Sequence, residues 1–385
     1  MIRTTVCVIG GGVVGTAIAL GLARRGVPVS LLEAEPALAL GASGTNSGVL
    51  HSGFDSTPGE LETRLILRSA ELRPALLDAL GIPVLRCGAR MTARTPAECE
   101  QLDGLQAGAA ANGVPVARDA PDVLRIPGEW VTDPVAYVQA LADAAAALGA
   151  HIRPGVEASA VARDEHRPGA LVVRGPRDER LAECSFAVNA AGLRAEELAT
   201  ASGDSGAVEV YPRKGEFLVF ARPPGLPVEI DLPVPDPTTK GVLVFPTVDG
   251  MVVAGPTAHD QDDKDDWSVR PAGIAQIQAK IEGRVPGLAG AQPVFAYAGL
   301  RPAGRHGTNY VFSPSRSCPG LLHVGAIRST GLSASLGIAE HVVGLLEGLG
   351  LQAGDEVPLP PAGPATPAGR PWWRRAADHR GEAPA

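Results

Sequence analysis

The chain has 385 residues, 45% of them hydrophobic and 20% charged, which is material for a large core and for two or three domains. A net charge of −8 excludes a general nucleic-acid binder, which needs a clustered excess of Lys and Arg, so an anionic small molecule would have to be met by a local Arg or Lys pocket. Cys7, Cys87, Cys99, Cys184 and Cys318 form no CxxC pair; neither a zinc ribbon nor an iron–sulfur cluster is suggested, no metal is expected, and a reduced cytoplasmic chain fits best.

Thr4 to Ile9 reads as a strand, Val13 to Arg25 as a helix and Val27 to Leu32 as a second strand, one βαβ unit. The apolar run from Val6 to Leu22 is too glycine-rich, and too soon followed by Arg24 and Arg25, to be a leader or a span, and no integral membrane span is expected elsewhere. Helical spacing predicts a helix over 60–80 ending at Gly81, a strand over 84–94, a helix over 96–112, and an alanine-rich helix from Pro134 capped by Asp133. A strand region over 152–161, a polar hairpin insertion over 164–180 and the strand Phe186 to Ala190 follow. Residues 209–297 read as a mostly antiparallel region, with runs at 216–220, 242–245 and 251–254. The strand Leu321 to Val324, a turn at 325–331 and a helix over 332–346 restore the first pattern. Beyond Gly350 the Pro/Ala/Gly-rich composition predicts a disordered tail over 351–385, and the acidic run from Asp260 to Asp266 reads as a solvated loop, since it lacks the central glycine and terminal glutamate of a calcium loop.

Gly10, Gly12 and Gly15 form GxGxxG between a strand and a helix, with Val14 beside them, and Glu33 ends the second strand. Gly10 allows the tight turn, Gly12 the approach of a pyrophosphate, and Gly15 close helix packing, while the helix N-terminus offers N–H donors and a positive dipole. Glu33 is placed to accept from an adenosine ribose and would repel a 2′-phosphate. This fingerprint alone does not separate FAD from NAD.

The segment Gly41-Ala42-Ser43-Gly44-Thr45-Asn46-Ser47-Gly48-Val49-Leu50-His51-Ser52-Gly53 resembles the second cofactor segment of the D-amino-acid-oxidase-like (DAO) FAD superfamily, in particular its glycerol-3-phosphate dehydrogenase and L-2-hydroxyglutarate oxidase branch. Arg213-Lys214-Gly215-Glu216, Val253-Ala254-Gly255-Pro256-Thr257, Ala298-Gly299-Leu300-Arg301-Pro302 and Gly331-Leu332-Ser333 follow in the order of that branch, so the resemblance spans roughly residues 3 to 348. It implies an α/β fold, α+β overall: a glutathione-reductase-like Rossmann FAD-binding domain built from 1–80, 130–205 and 300–350, and an antiparallel β-sheet substrate domain from 81–129 and 206–299. It also implies FAD as cofactor, with the pyrophosphate at Gly10 to Gly15, and Ser43, Gly44, Thr45, Asn46 and Ser47 near diphosphate and flavin. Adenine is expected at Ala158, the ADP half near Asn189, Ala191 and Gly192, and the flavin pyrimidine ring beside Gly325, Arg328, Thr330, Gly331, Leu332 and Ser333. Arg328 departs from the residue expected in glycerol-3-phosphate dehydrogenases.

The resemblance directs His51 at the flavin's reactive face, where an imidazole suits removal of a hydroxyl proton. A loop hydrogen bond and covalent flavin attachment compete for the same residue. Arg301 matches an arginine directed at a substrate carboxylate or phosphate, to which a guanidinium fork donates two parallel bonds; the alternative is a structural ion pair. Of Arg213 and Lys214 only one can face a pocket, because strand side chains alternate. Tyr211, Tyr297, Thr257 and His306 are weaker candidates for its wall. The expected reaction is oxidation of the C–OH of a small anionic substrate, a 2-hydroxy acid such as L-2-hydroxyglutarate or glycerol 3-phosphate, with oxygen, a quinone or a protein as electron acceptor. Oxidation of an amine or amino acid is the alternative, and a flavin electron carrier or binding module the reading outside catalysis.

Overall fold

A computed structural model describes residues 1–235, 241–307, 310–363 and 369–380. Val6–Ile9 is apolar and buried throughout, as a strand covered on both faces must be. It pairs in parallel with Val29–Glu33 and Phe186–Asn189; His151–Pro154 extends the sheet beyond the first, and Leu321–Gly325 beyond the second. Val311–Pro314 closes that edge antiparallel, giving a six-stranded sheet.

The α-helices of the described residues are α1 Val13–Arg24, α2 Leu61–Ala79, α3 Pro96–Ala111, α4 Pro134–Ala147, α5 Ala195–Ala201, α6 Pro271–Glu282, α7 Gly331–Gly348 and α8 Trp372–His379. Asp133 caps α4 by accepting from the N–H groups of Val135 and Ala136, as its position before Pro134 predicts. α1 packs against α4 and α7, and α7 against α2. Along Val6–Ile9, Val6 and Val8 enter the core shared with these helices, whereas Cys7 and Ile9 point to the other face, where Val161, Leu171 and Val173 cover them. That cover is a four-stranded sheet of Ile2–Arg3, Arg180–Cys184, Leu171–Arg174 and Ala160–Arg163. The fold is therefore layered, helices on one face of the parallel sheet and a small sheet on the other.

Two expectations change here. The region 152–161 divides, its first half joining the parallel sheet and its second the covering sheet, and the insertion expected to be polar contains the buried strand Leu171–Arg174. Likewise 84–94 divides into Val84–Leu85 and Ala89–Thr92, which belong to different sheets.

The second large sheet has nine strands. Val210–Ala221 and Phe295–Gly304 form its longest antiparallel pair, and all its other pairings are antiparallel except Ile230–Leu232 with Ala89–Thr92. Ala89–Thr92, Ala117–Ala120 and Val123–Ile126 thus join strands from more than 80 residues later, because each needs a neighbour for its ladder and α3 returns the chain between them.

Helix α8 corrects the expectation of a disordered tail for residues 369–380, while 364–368 and 381–385 of that expectation lie outside the described residues. α8 buries Trp372 and Trp373; the first ring meets Tyr297 edge-on at 5.8 Å, the second packs on Phe295 at 5.4 Å and donates its N–H to Asp249 at 3.0 Å. Two indoles bury enough apolar surface to order a short helix that composition alone would leave free. Among the described residues no helix is long and apolar enough to cross a membrane.

Candidate functional site

Two cavities meet at Ala42, Asn46 and Arg328, which line both. The first runs along the carboxyl ends of the parallel strands, where Gly10, Gly12, Val14, Glu33, Ser43, Ala158, Ala191, Gly192, Gly325, Gly331 and Leu332 line it. Gly10 has φ +114°, a conformation that favours glycine, and a Cβ there would fall 2.3 Å from the Ala190 carbonyl oxygen. At Gly15 a Cβ would sit 1.9 Å from the Gly10 oxygen, so this glycine serves packing and does not line the cavity.

α1 begins at Gly12 without a side-chain cap, and the Val13 N–H donates to Ser43 Oγ at 3.0 Å. α7 also starts uncapped, with Gly331 and Leu332 on the cavity wall, so two helix N-termini face one groove. Glu33 Oε2 accepts from the Gly11 N–H at 2.5 Å and Oε1 from the Glu35 N–H at 2.9 Å. Burial raises its carboxyl above the ordinary value, against the lowering effect of those two donors. Trp267 Nε1 and Arg380 Nε are buried in the same wall with no hydrogen-bond partner among the described residues. Uncapped helix starts, a glycine floor and orphaned donors fit an extended dinucleotide with its diphosphate over α1.

The second cavity holds His51, Arg301, Arg213, Tyr211, Thr257, Thr45 and Ser47. His51 Nδ1 lies 2.8 Å from Glu129 Oε2, and Glu129 Oε1 accepts from the Ser52 N–H at 2.6 Å and from Ser52 Oγ at 2.8 Å. Glu129 is fully buried. A carboxylate accepts only, so a neutral His51 ring carries its proton on Nδ1 and leaves Nε2 as the acceptor. Arg73, buried in α2, donates to the carbonyl oxygens of Leu50, His51 and Ser333, and the His51 N–H donates to Ser333 Oγ at 2.8 Å. The imidazole therefore stands on a backbone held from both α2 and α7.

Arg301 donates from Nε to the Arg213 oxygen at 3.1 Å, and from Nη2 to the oxygens of Lys214 at 3.0 Å and Thr257 at 2.9 Å. Among the described residues Nη1 has no partner and the guanidinium no carboxylate in ion-pair contact. Burial, and then the neighbouring Arg213 charge, bring its pKa down to about 10, still charged at neutral pH. Strand alternation separates Arg213, on the cavity wall, from Lys214, which is buried and paired with Asp266 at 2.8 Å. Asp265 pairs with Arg194 and itself lines the first cavity, so the acidic run read as a solvated loop is partly structural.

Several expected residues stand beside the cavities without lining them. Gly44 is packed against the Ala39 carbonyl and α8; Thr330 donates to Glu62 and contacts Tyr310; Ser333 anchors His51. Arg328 reaches the junction but is ion-paired with Glu62, which neutralises the cation expected beside the flavin ring. Tyr297 is stacked on Phe217 behind the wall, and His306 is exposed, pairing with Glu209. Glu129, Arg73, Trp267 and Arg380 escaped the sequence reading. None stands in a recurrent pattern, and only long-range folding brings them to the cavities.

The sequence profile described as FAD dependent oxidoreductase, DAO, matches residues 5–345. The chain is 26% identical over 361 residues to the glycerol 3-phosphate dehydrogenase of Caloramator mitchellensis, covering 89% of this chain and 74% of that one. It is 30% identical over 271 residues to the L-2-hydroxyglutarate dehydrogenase of Escherichia coli (strain K12), 65% of this chain and 63% of that one. The solved structure of dithionite-reduced L-alpha-glycerophosphate oxidase from Mycoplasma pneumoniae with FAD bound matches with a TM-score of 0.83 at 25% identity, over 93% of this chain and 98% of that one.

Proposed function

The chain belongs to the DAO family of FAD-dependent oxidoreductases, and from that premise we propose that it oxidises the C–OH of a small anionic substrate, a 2-hydroxy acid such as L-2-hydroxyglutarate or glycerol 3-phosphate. FAD is its cofactor. The observation that carries the substrate reading is the placement of His51, oriented by Glu129, on one cavity wall with Arg301, a guanidinium without an acidic partner among the described residues.

When bound, FAD would supply the two-electron acceptor. Gly10, Gly12 and Ser43 would hold its diphosphate against α1, Glu33 its ribose, and Gly331 and Leu332 at the start of α7 its ring. Arg301 Nη1 donates to the substrate carboxylate or phosphate, while Nε and Nη2 stay tied to three carbonyl oxygens and keep the fork from swinging. His51 Nε2 takes the hydroxyl proton as the C–H bond breaks, and Glu129 stabilises the imidazolium that results. The proton then leaves to solvent and the product is the keto acid or keto phosphate. Five unpaired cysteines support a reducing, cytoplasmic setting.

The test is anaerobic bleaching of the yellow protein with L-2-hydroxyglutarate, glycerol 3-phosphate and a set of amino acids. Rapid bleaching by a hydroxy acid or by the phosphate is expected, with the Arg301→Ala variant needing about 10–100-fold more substrate, the size of a lost charge-assisted contact. Bleaching by amines alone would reject the alcohol reading, and oxygen uptake after reduction would identify the acceptor as oxygen.

A further inference from the structure

We propose that the C-terminal helix is part of the cofactor site: Arg380, at the end of α8, and Trp267 together bind the ADP half of FAD. The proposal rests on the first cavity being the FAD site.

α8 is fixed by Trp372 and Trp373 on Tyr297 and Phe295 and by the bond to Asp249, and it runs past Gly44, where Ala376 Cβ would touch a Cβ at 3.6 Å. Its last turn arrives at the dinucleotide groove. There Arg380 Nη2 donates to Glu35 Oε1 at 2.8 Å and to the Leu40 oxygen at 3.3 Å, and His379 Nε2 pairs with Glu35 Oε2 at 2.8 Å. Glu35 lies two residues beyond Glu33, so the helix end is tied to the segment that would carry the ribose. The Arg380 guanidinium lies 4.8 Å over the Trp267 ring, and both residues of this pair line the groove.

Both residues line the first cavity and neither lines the second, which places them away from the junction, towards the end that Glu33 and Ala158 define. Their contacts leave two donors over: Arg380 Nε and Trp267 Nε1, buried and without a partner among the described residues. A buried N–H left unpaired is costly, and these two, one from the guanidinium and one from the indole beneath it, suit the phosphate and hydroxyl oxygens of an ADP group. Lys264, on the same wall, adds a cation, though it is paired with Glu196 and Glu197. The segment from 371 to 380 is thereby a clasp.

The experiment measures FAD binding to the apoprotein by flavin fluorescence and ADP binding by calorimetry, for wild type, Arg380→Ala, Arg380→Lys, Trp267→Phe and the double variant Trp372→Ala/Trp373→Ala. Arg380→Ala and the double variant are expected to weaken both ligands about tenfold, equivalent to about 1.4 kcal/mol. Trp267→Phe keeps an aromatic face beneath the guanidinium but loses the pyrrole half of the indole with its N–H, so a smaller loss in the same direction is expected, and Arg380→Lys restores part of the affinity. Loss of the tie to Glu35 lowers the melting temperature of the Arg380→Ala apoprotein by itself, so the discriminating quantity is the rise in melting temperature on adding FAD, which should shrink in Arg380→Ala and in Trp267→Phe and would stay at the wild-type size if both residues were purely structural. FAD and ADP affinities within about twofold of wild type in both Arg380→Ala and Trp267→Phe would overturn the proposal. A wild-type protein that binds neither FAD nor ADP would overturn the cofactor-site assignment beneath it as well.

Discussion

The Glu129 carboxylate receives donors from His51 and twice from Ser52 in a place closed to water. Its replacement by Gln keeps the volume and still accepts from Ser52, but the amide presents N–H to His51 Nδ1. The ring then carries its proton on Nε2 and has no acceptor for the substrate hydroxyl. Glu129→Gln is therefore expected to slow anaerobic flavin reduction about 10²–10⁴-fold, the usual contribution of a general base, with FAD affinity unchanged. Stopped-flow reduction beside a flavin titration checks this, and an unaltered rate would remove His51 from the role of base. His51 itself was legible as a candidate, because it stands in the glycine-rich segment over 41–53 that resembles a cofactor segment. Glu129 was not, being one acidic residue in a turn between Val123–Ile126 and Trp130–Thr132, 78 positions from its partner.

Helix α1 shows how little freedom an element start has when it doubles as a ligand floor. Gly10 and Gly15 meet across the turn so closely that a methyl at 15 would collide with the backbone, and that backbone is anchored by a bond from the Gly10 N–H to the Leu32 oxygen at 2.8 Å. Gly15→Ala is expected to cost about 1–3 kcal/mol through overpacking and to release FAD on gel filtration. Differential scanning calorimetry and the flavin content of the purified variant read the two effects. Helix α8 is the opposite case. Its composition gives no start signal and a short helix is marginal alone, so its existence depends on indoles that find Tyr297 and Phe295. The failure of the disorder expectation has that cause: tertiary burial decided the element, and local propensity did not.

Across the whole molecule, distant segments are held by carboxylates, Asp204 buried and Asp266 half-exposed, whose protonation would release them. Burial alone would raise the Asp204 carboxyl, but donors from Ser315, His323 and the N–H groups of Ser317 and Arg316 outweigh it and bring the pKa down to about 2. Asp266 is likewise raised by burial and lowered further by Lys214 and Ser268, to about 2. A folded pKa below the unfolded value of about 3.9 contributes stability that is fully present above that value and is lost as pH falls through the folded one. Denaturant midpoints should therefore fall between about pH 4 and pH 2, and Asp204→Asn should lower the midpoint at neutral pH and flatten the acid dependence. Urea titrations at both ends of that window test it, and an unchanged acid slope in the variant would remove Asp204 from the account. What the sequence determined by itself is what short range can encode. The βαβ start, the glycine turn with Glu33, the periodicity of α2, α4 and α7 and the ordered series of motifs carried the fold, the FAD cofactor and the neighbourhood of His51 and Arg301. The tertiary structure decided which separated segments share a wall: Glu129 under His51, Arg73 beneath the loop, carbonyl oxygens around Arg301, the Glu62 partner of Arg328, and α8 across the groove. The physical reason is that a buried polar group requires a partner without prescribing where along the chain that partner must come from.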